Sequence, residues 1–251
     1  MKQVRVISSA FVLFLIWWLL AAMMDNDFII PYPLDVIRLM LAQLTMSSFY
    51  ENLIYTLFRS WGGLCVAFII AGSCAFLAYQ FKLFHDLFYP LLLLMRSVPN
   101  ISFIIVILLW FGSDSSAAIV SFLIIFPTIY ANIYSGLNHI DSNLIKVVQL
   151  YPKKTSYKIR HVYLPLLGSS IQASLSNGMS LTFKVGVMAE ILGQVQIGIG
   201  RQMNLCRLTS DMTGVFAWTG WIILILLIMD LLLHLFWKKN EDEKSLLHDK
   251  L

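Results

Sequence analysis

Apolar residues fall along the chain in long runs separated by short polar breaks, a pattern that predicts helices crossing a bilayer. A hydrocarbon layer about 30 Å thick needs roughly 20 apolar residues in a helix. Residues 6–24 are uncharged and long enough. Lys2 and Arg5 precede them, as they would in a signal peptide. Trp17 and Trp18 sit inside the run, however, and no small-x-small cleavage site comes before Asp25 and Asp27, so a retained helix is expected. Further runs cover 53–79, 87–111 (interrupted by Arg96 and Pro99), 117–136, 166–192 and 213–237, the last with Asp230 inside it. The expectation is an all-α integral membrane protein with six transmembrane helices. Residues 35–44 carry Val36, Leu39, Met40 and Leu44 at helical spacing and predict a short interfacial helix after Pro31 and Pro33.

Composition supports this picture. Hydrophobic residues make up 59% of the 251 positions and charged ones 13%, with a mean hydropathy of +0.76. Soluble domains average about 45–50% apolar and about 25% charged. A soluble enzyme, a disordered chain and a nucleic-acid-binding arm are therefore excluded. The net charge of +4 fits basic cytoplasmic loops, with no nucleic-acid partner implied.

With the N-terminus in the cytoplasm, Lys2, Arg5, Lys82, Lys146, Lys153, Lys154, Lys158, Arg160 and Lys238, Lys239, Lys244 and Lys250 fall inside. Only Arg38, Arg201 and Arg207 fall outside, so both termini are expected in the cytoplasm. The domain reading is a first helix with an external linker (1–52), a transmembrane core (53–239) and a polar cytoplasmic tail (240–251). Cys65, Cys74 and Cys206 form no metal-type spacing, and no cofactor is expected.

The cytoplasmic segment between the fourth and fifth runs predicts two short amphipathic helices. The first covers 142–150, with Leu144, Val147, Val148 and Leu150 apolar. After Tyr151, Pro152 forces a break and opens the second, over 153–162, which begins with Lys153 and Lys154. Leu164 and Pro165 end the unit. Such an element is either an ordinary basic loop or a helix pair that seats in a groove of a soluble partner.

Several segments, in order, resemble one family. They are Pro31-Tyr-Pro-Leu-Asp-Val, Thr56-Leu-Phe-Arg59-Ser-Trp-Gly62, Tyr89-Pro-Leu-Leu-Leu-Leu-Met-Arg96-Ser-Val-Pro99, Leu109-Trp110-Phe111-Gly112, Leu164-Pro165, Ala189-Glu190 and Asp230. From about residue 31 to 239 the chain resembles the inner-membrane permease subunits of bacterial ABC importers of the binding-protein-dependent type. The nearest group is that of nitrate, sulfonate and taurine permeases, with those for thiamine precursors and riboflavin. The family's loop normally begins Glu-Ala-Ala with a Gly four residues later; here stand Lys146, Val147, Val148 and Pro152.

The resemblance implies a MetI-like fold in the bacterial plasma membrane, with a coupling helix between spans four and five. It also implies cytoplasmic ATPase subunits docked on that loop, an extracytoplasmic solute-binding protein, and a second permease copy, as a homodimer, within membrane lipid. The chain has no GxxxxGK[ST] loop, so ATP would be bound and hydrolysed by another subunit.

Ionisable residues inside a span face protein or water. Arg59, Arg96, Lys184 and Glu190 are candidates for the translocation path, with structural pairing or snorkelling as the alternative for Arg59 and Glu190. Asp230 is expected beside a cation on a neighbouring helix. In the fifth run Ser176, Asn177, Ser180 and Lys184 share a helical face, either for tight packing or as a wall of the path. As a path wall, Lys184 would attract an anionic or strongly dipolar solute. Gly63, Ala67, Ala71 and Ala75 form a small-residue stripe for close helix contact, internal or between subunits. The competing readings are a stand-alone secondary transporter or channel, which lacks an internal repeat here, and a membrane enzyme, for which neither HExxH nor GxSxG is present.

Overall fold

The computed structural model describes residues 2–24, 26, 28–150 and 154–248, and every regular element among them is helical. In chain order they are α1 (Lys2–Met24), α2 (Pro33–Gln43), α3 (Ser47–Gln80), α4 (Lys82–Ser97), α5 (Asn100–Asn138), α6 (Ser142–Leu150), α7 (Thr155–Lys158), a π-helical turn (Ile159–Tyr163), α8 (Leu164–Leu166), α9 (Gly168–Gly193), α10 (Ile199–Leu208) and α11 (Met212–His248). Three of the described helices are long and apolar enough to cross a membrane: Ser47–Gln80, Asn100–Asn138 and Met212–Trp237. A shorter apolar stretch covers Phe11–Met24.

The third predicted run is not one helix. Pro99 pushes the residue before it out of the helical region, and Val98 accordingly sits extended at φ −76°, ψ 128°. This divides the run between α4 and the first half of α5. Helix α5 is itself broken at Gly112, whose φ of 75° and ψ of 178° suit glycine alone. A straight helix from Asn100 to Pro127 would measure about 40 Å. Yet Arg96 donates to the Pro127 carbonyl at 2.9 Å, and the Phe88 and Phe126 rings lie 6.1 Å apart. The chain therefore reverses at Gly112, and α4 runs back along the second half of α5.

Small residues bring α3, α5 and α9 together. Gly63, Ala67, Ala71 and Ala75 are all buried. A methyl group at Gly63 would overlap the Ala118 carbonyl oxygen, so the stripe is used inside this chain, against α5. Gly178 of α9 admits Leu64 of α3, since a Cβ there would stand 2.8 Å from its Cδ1. Gly186 lies against Ser60, and Gly136 of α5 against Ser170. Fully buried Ile125, Ile129 and Leu137 complete the seam.

The helix expected over 35–44 is α2, which begins two residues earlier, at Pro33. Pro33 fits there because a first-turn N–H has no helical partner to lose. Its Gln43 accepts a 2.9 Å hydrogen bond from Trp221 Nε1, fixing α2 against α11.

Candidate functional site

Asn52, Thr56 and Arg59 lie four and three residues apart and so share one face of α3. That face meets the end of α9 and the loop before α10. The Asn52 carbonyl oxygen accepts from the Gly198 N–H at 2.8 Å. Thr56 Oγ1 accepts from the Ile199 N–H at 2.8 Å and donates to Glu190 Oε2 at 2.9 Å. The Gly200 N–H donates to the same carboxylate oxygen at 3.0 Å. The free N–H groups at the start of α10 are thus capped by side chains from α3 and α9. Glycine is required at 198, at φ 151°, because a Cβ would come within 2.5 Å of the Glu190 carboxylate.

Glu190 is fully buried, and Arg59 neutralises it at 3.3 Å. The same Nη1 donates to the Ile197 carbonyl at 2.5 Å, while Nη2 reaches Asp114 at 3.1 Å, just past the Gly112 reversal. Four segments therefore converge on one guanidinium: α3, the tip of the α5 reversal, α9 and the 194–198 loop. Arg59 and Glu190 are brought together. Arg96 stands apart, against Pro127.

A second feature is the uncovered face of α9. Ser174, Gly178 and Thr182 are buried towards the core, whereas Asn177 and Lys184 are exposed and Ser176 and Ser180 half-buried. No hydrogen bond or ion pair to Lys184 is formed among the described residues. Asp230, expected beside a cation, instead receives the Ser176 hydroxyl at 3.1 Å.

The third feature is the segment between α5 and α9. Asp141 starts α6 by accepting the Asn143 N–H at 2.8 Å. Leu144, Val147 and Leu150 are exposed on α6, Leu150 at 81%, and Val148 is half-buried. Tyr151, Pro152 and Lys153 lie outside the described residues; Lys154 is exposed. Pro165 does not end the helical unit as its sequence context suggests. It sits in the first turn of α8, where its missing N–H is harmless, and one residue, Leu167, separates that turn from α9. The π-turn at Ile159–Tyr163 just before it has no sequence signal.

Sequence reasoning did not find Asn52, Thr56, Asp114, Gly198 or Gly200. The spacing of Asn52, Thr56 and Arg59 is a signal for the first two. Asp114 and the glycines become site residues only through contacts with distant segments.

A bundle of apolar helices with a buried charge clasp at one end and an amphipathic helix between α5 and α9 defines a multi-pass membrane permease. The chain belongs to the family of binding-protein-dependent transport system inner membrane components, whose model matches residues 63–241. It is the permease component of an ABC import system in the inner membrane. The formylaminopyrimidine transport permease of Halalkalibacterium halodurans is 25% identical over 82% of this chain and 82% of its own. The riboflavin transport system permease of Chloroflexus aurantiacus is 24% identical over 86% of this chain and 82% of its own. A Bacillus subtilis protein named as an aliphatic sulfonates transport permease is 23% identical over 75% of this chain and 68% of its own.

Proposed function

We propose that this chain forms half of a transmembrane path for a small anionic or strongly dipolar solute, with the exposed polar strip of α9 as its wall. The observation that carries this is the strip itself. Asn177 and Lys184 are exposed and Ser180 half-buried on one face of α9. A lysine facing lipid within a span is costly, whereas one facing a water-filled path is not. The relatives named for sulfonates, riboflavin and formylaminopyrimidine support a solute of this kind.

In this reading six spans cross the membrane: α1, α3, α4 with the first half of α5, the second half of α5, α9 and α11. Both termini are cytoplasmic, on the strength of the loop charges. The first 52 residues form an entry helix and external linker, 53–239 the core, and 240–251 a cytoplasmic tail. A second copy of the chain completes the path, and an extracytoplasmic binding protein delivers the solute.

Partner ATPases hydrolyse the ATP and seat the exposed edge of α6, namely Leu144, Val147 and Leu150, with Tyr151, Pro152, Lys153, Lys154 and the Leu164-Pro165 turn as the rest of the docking element. Closure of the ATPases then moves this element and switches the path between its two faces. Lys184→Met is expected to lower uptake of an anionic solute in proteoliposomes severalfold with assembly intact; unchanged uptake removes α9 from the path.

A further inference from the structure

The molecule also holds a cavity whose walls do not include Asn177, Ser180 or Lys184. It has a volume of about 440 Å³ and lies between α3, the end of α5 and the turn leading into α9. Phe68, Phe76, Leu77, Ile133 and Leu167 are among its walls, which are almost wholly apolar. Phe76, Leu77 and Tyr163 also line an adjoining cavity of about 410 Å³, whose other walls include Gln80, Val148 and Lys158. The two cavities adjoin along Phe76, Leu77 and Tyr163, the first almost wholly apolar and the second lined by both polar and apolar groups. Each volume falls in the range of small-molecule sites, about 300–1,000 Å³.

The π-helical turn builds the junction. Its extra residue places Ile159 and Tyr163 on the apolar chamber, while Lys158, one position before the turn, faces the polar one. π-turns recur at functional sites. Lys158 is half-buried, and no carboxylate among the described residues lies within ion-pair distance of it. A half-buried lysine beside an apolar slot calls for an anion attached to a hydrocarbon chain.

We infer that this cleft binds an anionic phospholipid of the inner leaflet, its acyl chain in the chamber lined by Phe68, Phe76 and Ile133 and its phosphate on Lys158. The inference rests on the cytoplasmic placement of the α6–α8 segment. Basic pockets between helices on that side of a membrane protein hold anionic headgroups. An apolar helix of a second copy would fill the first chamber but leave Lys158 without a counter-charge. Val148 of α6 lines the polar chamber, so the lipid would touch both the bundle and the proposed ATPase-docking helix. It would act there as a wedge that keeps the two in register.

The full-length chain is released from bilayers of phosphatidylcholine mixed with phosphatidylglycerol, and bound lipid is counted by native mass spectrometry. Wild type is expected to retain phosphatidylglycerol over phosphatidylcholine. Lys158→Gln removes that preference, weakening phosphatidylglycerol binding by about fivefold with phosphatidylcholine unaffected. Gly72→Leu fills the apolar chamber and removes both lipids. Its backbone has room, because a Cβ at Gly72 meets only Ile133 Cδ1, at 3.5 Å. Equal retention of the two lipids by wild type, or a Lys158→Gln variant that keeps the preference, overturns the site. So does an intersubunit disulfide formed by Ser73→Cys, which would put a second copy over the cleft. Labelling of Arg160→Cys from outside the cell would instead overturn the orientation and leave the lipid counts as they are.

Discussion

Replacing Thr56 by Val tests whether the buried clasp holds α3 to the end of α9 and the start of α10. Val keeps the branched shape and removes only the hydroxyl. Two hydrogen bonds disappear, one to Glu190 Oε2 at 2.9 Å and one from the Ile199 N–H at 2.8 Å. The first involves a charged acceptor and is worth about 1.5–3 kcal/mol, and stranding a buried N–H costs about 1–3 kcal/mol. Both pass through one oxygen, so they do not simply add. A loss of about 3 kcal/mol is expected. For a chain of this size each kcal/mol moves the melting temperature by about 2–4 °C, so the drop should be roughly 10 °C.

The assay is thermal unfolding in detergent, followed by tryptophan fluorescence. Thr182→Val is the matched control. Thr182 is equally buried, but its hydroxyl donates only to carbonyls of its own helix, Gly178 at 2.8 Å and Met179 at 3.3 Å. Removing it strands no N–H, so its cost should stay below about 1 kcal/mol. If the two variants melt together, or if Thr56→Val melts with wild type, the capping account of Thr56 is wrong. A double-mutant cycle with Glu190→Gln then measures the coupling of the pair directly.

Glycine substitutions should separate three effects. Gly112→Ala meets no atom within 4 Å and should lose about 1–3 kcal/mol from backbone strain alone, whereas Gly62→Ala, equally free of contacts but helical, should gain up to about 1 kcal/mol; thermal melts of both decide it. Gly63→Leu should prevent folding, read as aggregation on size exclusion, because the Ala118 carbonyl blocks even a methyl group. Leu150→Asp should uncouple ATP hydrolysis from uptake in the assembled complex without lowering the melting temperature, since Leu150 is 81% exposed. Burial, with Asp211 beside it, pushes the Cys206 thiol up to about 11, so little thiolate forms near neutral pH. Cys206 should alkylate slowly at pH 7.5 and faster in Asp211→Asn, measured by maleimide mass shift.

The apolar runs made α3, the second half of α5 and α11 legible in the sequence, because a long hydrophobic helix needs only local composition to declare itself. Periodicity alone also exposed the α9 face with Asn177, Ser180 and Lys184. What periodicity could not show was where chain segments meet. Helix α10 has too few apolar residues to form a run, and its start is capped by Asn52, Thr56 and Glu190, two of them more than 140 positions away. Arg59 and Glu190 were each visible as costly intramembrane charges. The second carboxylate on Arg59, Asp114, was not, because only the reversal at Gly112 brings it there. Asp230 was assigned a cation on charge alone, whereas the neighbouring helix offers it a serine.

The glycine and alanine contacts among α3, α5 and α9 constrain how the molecule can move. Where a single methyl group would collide with a carbonyl or a hydroxyl, neighbouring helices have no clearance to roll or slide past one another. These three helices must travel as one block. Any change of shape then has to be taken up at its margins, where α11 packs on α9 and carries α2 and α1 with it. The gearing of this permease therefore lies between bodies, and its central seam serves as the axle.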